Sequence, residues 1–240
     1  MINLDVFNGF DFERPPVGVK YSSTPPVSID RLDEKLALCE MLKTAQAGNA
    51  FYADVQNHAC PAGTYVLGQE DIEKQYLSGE FGAALKIFDS PRAAARLYHY
   101  IPKIEKGVAN YVSLAPLDKL QFNPDVLLIL ARPDQTEVLL RAMSYRDGKM
   151  WSSRYSPAIG CAWIFIYPYL SGKINYSMTG LGHGMKRRKL FPEGHQIIAI
   201  PFDRLPAIMD ALNEMEWVLP AYKPDGLEFV GGVIKKLGLE

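Results

Sequence analysis

Three cysteines, Cys39, Cys60 and Cys161, are the residues with the widest chemical reach in this chain. As thiolates they could ligate zinc or an iron–sulfur cluster, attack a substrate, or cycle between dithiol and disulfide. None belongs to a C-x-x-C pair, so no local zinc or ferredoxin signature exists and only the fold can gather them. The favoured expectation is a three-cysteine [4Fe–4S] site, in which one iron stays open for a substrate or external ligand. The alternative metal is zinc, with His58 or water as fourth donor. His58 stands two residues before Cys60 within N-H-A-C-P-A-G (Asn57 to Gly63), so a turn could aim its imidazole at the same ion. The plain structural alternative is a buried or capping histidine.

Two further chemistries compete. In the first, Cys60 and Cys161 each precede an apolar, helix-compatible segment, whose N-terminus would stabilise a thiolate. That supports a metal-free thiol redox or nucleophilic enzyme, one that leaves Cys39 unused. In the second, the chain is a non-catalytic module binding a small ligand. The glycine-rich stretch Thr179 to Gly184 follows a strand-like segment and leads into Lys186 to Lys189. Backbone N–H groups near Gly182 and the guanidinium groups of Arg187 and Arg188 suit a small anion. The spacing matches neither a Walker nor a Rossmann fingerprint, and a solvated basic loop is the competing account of the run. Whether any substrate is turned over is left open by the sequence.

These residues need elements to hold them. P-V-G-V-K-Y (Pro16 to Tyr21) reads as a strand, and Asp30 can cap a helix from about residue 32 to 47, ended by Gly48. N-A-F-Y-A-D-V then reads as a strand that delivers the Cys60 turn. Residues 70–105 are helix-rich with a break at Ser90-Pro91. Ala109 to Leu120 reads as a strand and turn, and P-D-V-L-L-I-L-A-R-P (Pro124 to Pro133) as a strand buried on both faces. A helix from about 136 to 145, an apolar stretch after Cys161, a strand I-N-Y-S-M-T-G and a final strand and helix complete the main body. A short terminal helix is expected in the tail.

The order strand, helix, glycine, aromatic strand, cysteine turn occurs twice. Pro16 matches Pro124, Gly48 matches Gly148, Phe51 matches Trp151, Cys60 matches Cys161, and A-P-L-D-K-L at Ala115 echoes I-P-F-D-R-L at Ile200. The expected fold is therefore α+β: two degenerate strand-helix-strand-Cys turn-helix-strand units, 1–120 and 121–240, packed in one compact globule about a pseudo-twofold axis. Near such an axis equivalent residues meet, so Cys60 and Cys161 would face each other. In this alignment Leu139 takes the place of Cys39.

Composition bounds the alternatives. The 240 residues are 48% hydrophobic, enough for a substantial core. With 26 Lys+Arg against 27 Asp+Glu, the chain lacks the basic excess of a nucleic-acid binder. No signal-like N-terminus or apolar run long enough for a bilayer is read. The expected setting is thus cytoplasmic and reducing, with no membrane or nucleic-acid partner, a small anionic ligand, and free thiols rather than a disulfide framework. Homo-oligomerisation is left open.

The motifs P-V-G-V-K, A-x-A-G-N (Ala45 to Asn49), N-H-A-C-P-A-G, Leu67-Gly68, P-D-V, P-Y-L-S-G-K (Pro168 to Lys173) and I-P-F-D-R-L together resemble the prokaryotic domain of unknown function 169 family. The resemblance covers nearly the whole chain. It implies that cysteine recurs at positions 39, 60 and 161, and brings no established reaction. G-L-G-H-G-M-K-R-R (Gly180 to Arg188) departs from the family's shorter Asp-Gly-containing stretch.

Overall fold

The computed structural model describes residues 2–239. Its frame is one six-stranded sheet of order β2-β3-β1-β4-β6-β5, every neighbouring pair antiparallel. The strands are β1 (Val17–Ser22), β2 (Phe51–Ala53), β3 (Tyr111–Pro116), β4 (Val126–Ala131), β5 (Asn175–Met178) and β6 (Gln196–Pro201). Residues 1–120 supply β1 to β3 and residues 121–240 supply β4 to β6. They meet at a short ladder in which Val17, Gly18 and Val19 face Leu128, Leu127 and Val126. Outward from it the register repeats: Val17 faces Pro116 on β3, and Val126 faces Pro201 on β6.

Helices cover both faces. In chain order they are α1 (Leu38–Gln46), α2 (Pro61–Val66), α3 (Lys74–Leu77), α4 (Glu80–Ala84), α5 (Pro91–Tyr98) and α6 (Pro133–Ser144). A π-helical segment (Ala162–Ile166) runs into α7 (Tyr167–Ser171), followed by α8 (His183–Arg187), α9 (Leu205–Glu214) and α10 (Gly226–Leu237). β4 shows why the sequence reads as a continuous apolar run. Its alternate residues Val126, Leu128 and Leu130 join the core under α1 and the π-helical segment, while Leu127, Ile129 and Ala131 join a second core under α6 and α9. Both sides of the strand are dry.

Several elements differ from the sequence expectation. The first helix begins at Leu38, because residues 30–36 run alongside β2 and the Cys60 turn: Leu32 N–H donates to Tyr52, and Leu36 N–H to Asn57. No strand forms around Trp151, which lies half-exposed in irregular chain. Cys161 consequently opens a helical segment before β5, whereas Cys60 follows β2. The repeated landmark order is not reproduced around these two cysteines, since tight glycine turns at Gly48 and Gly148 recur without carrying the same element onward. Leu139 is likewise no spatial counterpart of Cys39: it belongs to the core under α6, and Cys39 to the core on the opposite face. Among the described residues no helix is long and apolar enough to cross a membrane.

Candidate functional site

Cys39 occupies the second position of α1. That helix start is fixed by Glu40, whose Oε2 accepts a 2.7 Å hydrogen bond from the Ala37 N–H and whose Oε1 pairs with Arg188 Nε at 3.3 Å. Cys60 is the residue before α2, and Pro61 fills the first helical position, where its missing N–H costs nothing. Cys161 leads into the π-helical segment, whose wide turn is of a kind that recurs at functional sites.

These three elements converge. Cys39, Cys60 and Cys161 line one cavity of about 400 Å³, together with Gly182 before α8, Arg187 at its end and Arg188 after it. Cys39 and Cys161 are buried, Cys60 is half-buried, and all three are free thiols. Burial pushes the Cys39 thiol up to about 12, against the opposing pull of Arg188; the charges of Cys60 and Glu40 push the same way as burial. Burial likewise holds Cys161 well above the usual thiol range, reinforced by Cys60 and then Cys39. Each thiol thus stands within electrostatic reach of the others.

Glycines and strain shape the floor. A Cβ at Gly160 or Gly182 would come within 2.3 Å or 2.6 Å of the Tyr155 hydroxyl, so this tyrosine can pack beneath the cavity only because both positions are bare. Burial raises that hydroxyl to about 12. Ile159, on the cavity wall two residues before Cys161, adopts φ 51°. A β-branched residue in the left-handed region costs about 1–3 kcal/mol and concentrates at functional sites.

His58 is not among the residues lining the cavity. A 3₁₀ turn at residues 55–57 precedes it, and its ring lies against Gly63. Both ring nitrogens are buried without a hydrogen-bond partner, and burial lowers its pKa to about 4. Arg188 spends its charge on Glu40, while Arg187 forms no ion pair among the described residues. As arranged, no group of three or more His, Cys, Asp or Glu among the described residues could hold a single metal ion.

Sequence reasoning missed most of the remaining wall, notably Tyr76, Phe81, Phe88 and Tyr98 from α3 to α5, and Ile159. The short helices α3 and α4 carry too little periodicity to show which face they bury. The polar stretch S-S-R-Y-S at Ser152 to Ser156, shortly before Cys161, carries a usable signal, since it supplies Tyr155.

No solved structure matches this chain. An uncharacterised protein of Methanocaldococcus jannaschii is 27% identical over 211 residues, covering 86% of this chain and 90% of the relative. The profile of domain of unknown function 169, described as an uncharacterised ArCR family, matches residues 8–211 and so takes in all three cysteines and the whole sheet. The chain belongs to that family.

Proposed function

We propose that this protein binds a cysteine-ligated cofactor, a [4Fe–4S] cluster held by Cys39, Cys60 and Cys161 with one iron left open towards the cavity. One observation carries the reading: three thiols far apart in sequence line the same cavity. The donor set favours a cluster over zinc. Zinc needs its donors around one ion, with each sulfur about 2.3 Å away, and no such group stands among the described residues. A cubane takes each thiolate on a different iron, which suits sulfurs that share a cavity rather than one coordination shell. The apolar surroundings that raise the Cys39 and Cys161 thiols would suit a cluster bound as thiolates, the bound metal supplying the compensating charge. Arg187, which lines the same cavity without an ion-pair partner among the described residues, is the residue offered to a small anionic ligand.

A duplicated architecture is part of the proposal. The strand order reads the same outward from the β1–β4 ladder, and Val17 and Val126 hold the same register against their partners. On this alignment β2 corresponds to β5, so Cys39, opening the helix before β2, corresponds to Cys161, opening the helix before β5. Cys60, before α2, then corresponds to Gly182, before α8. Two equivalent thiols and one unmatched thiol would leave the fourth corner to glycine, which is where an open iron has room.

Anaerobic purification with a visible spectrum and iron and sulfide analysis tests the reading. A brown protein with about four irons and four sulfides per chain, lost on Cys39→Ser, is expected. A colourless protein after anaerobic reconstitution, or one whose Cys60 and Cys161 form a disulfide while Cys39→Ser changes nothing, would overturn it in favour of thiol chemistry.

A further inference from the structure

The cavity has two unlike sides. Next to Cys39 stands Arg188, already neutralised by Glu40, and the uncommitted Arg187 also lines the cavity. On the side of Cys60 the wall is aromatic. Tyr76 senses the Cys60 charge and packs on Phe81, with ring centroids 4.4 Å apart. Phe88 and Tyr98 continue this wall. The wall is held in shape where α4 meets α5: a Cβ on Gly82 would stand 3.0 Å from Ala94 and 3.2 Å from Phe88. Yet Phe81 and Leu85 each remain 41% exposed, so apolar surface lining the cavity is left without a protein partner.

We infer that the ligand of this cavity is a small monocarboxylate carrying an aromatic ring. This deepens the proposed function, sharing its cavity and its open iron. One uncommitted guanidinium matches one negative charge; a dianionic phosphate would be left half-compensated in a partly desolvated site. The Tyr76–Phe81 pair offers a ring the offset or tilted contacts that aromatic side chains prefer. The volume, about 400 Å³, falls in the range of small-molecule sites and leaves space beside a cluster.

Isothermal titration of the full chain with phenylacetate, acetate and 2-phenylethanol separates the contributions. Phenylacetate is expected to bind, with acetate on the order of 10–100-fold weaker for want of the ring, and 2-phenylethanol at least about tenfold weaker for want of the charge. Arg187→Gln should erase the preference for phenylacetate over 2-phenylethanol. Phe81→Ser should erase its preference over acetate while the Arg187-dependent preference over 2-phenylethanol survives, which a merely unfolded variant would not show. Equal binding of acetate and phenylacetate, equal binding of the alcohol, or no binding at millimolar concentrations would overturn the inference. Iron analysis of the same sample keeps the two ideas apart. An iron-free protein with the full selectivity pattern removes the cluster and keeps the ligand; an iron-loaded protein indifferent to all three probes does the reverse.

Discussion

Acid should destabilise this fold through His58, by an amount that can be worked out in advance. Its two ring nitrogens are buried with no partner, and its pKa is lowered to about 4, against about 6.5 for an unfolded histidine. Between these values the unfolded chain takes up a proton that the folded chain refuses. Stability is therefore intact above pH 6.5 and is lost as pH falls towards 4. Fully developed, the loss is about 3 kcal/mol; between pH 7.5 and pH 5 it is about 2 kcal/mol. Carboxylates titrate in the same window, so the informative quantity is the difference between wild type and His58→Leu, which keeps an apolar side chain against Gly63. Chemical denaturation of both proteins at pH 7.5 and pH 5 measures it. The variant should lose about 2 kcal/mol less than wild type over that interval. Equal losses would refute the reasoning, and would mean that the ring finds a proton acceptor or water within the fold.

Other perturbations test the site from different sides. With its thiol pushed up to about 12, Cys39 is about one part in ten thousand thiolate at pH 8. Its alkylation by iodoacetamide in metal-free protein should be on the order of a thousandfold slower than in the denatured chain, as mass spectrometry of the labelled peptides would show. Gly160→Ala drives a methyl group into the Tyr155 hydroxyl and should cost about 1–3 kcal/mol. Adding Tyr155→Phe removes the clashing oxygen and should restore most of that loss, so a double-mutant cycle without coupling would contradict the packing described. Ile159→Gly releases the left-handed strain and should raise the melting temperature while weakening phenylacetate binding, if the strain holds the wall beside Cys161 in shape. A lower melting temperature would show that the isoleucine side chain contributes more by packing than its backbone costs.

Legibility in the sequence followed the strength of local pattern. β4 and β6 were readable because their runs are long and apolar, and the P-F-D-R-L turn marks where β6 ends. The helix after Arg132 was readable, though it begins at Pro133 because proline is tolerated in a first turn. Cys39, Cys60 and Cys161 stand out by residue type, and so do Arg187 and Arg188. What failed were inferences that needed a direction. His58 and Cys60 both have extended backbone, yet His58 is not among the residues lining the cavity, so spacing by two did not by itself place both side chains there. Cys60 and Cys161 do line one cavity, but the elements around them differ, Cys60 following β2 and Cys161 preceding β5, an order that residue identity alone does not reveal. The aromatic wall was hidden because α3 and α4 are a single turn or little more, too short for an amphipathic period to declare itself.

The ladder between β1 and β4 is only three residue pairs long, and the thiols divide across it, two before the seam and one after. A group bonded to all three would act as a clasp, spanning a join as short as any in the sheet. Loading it would tie the two stretches of chain together, and its free energy of binding would be added to resistance against prising them apart. Oxygen, by dismantling such a clasp, would loosen the fold as well as silence the site.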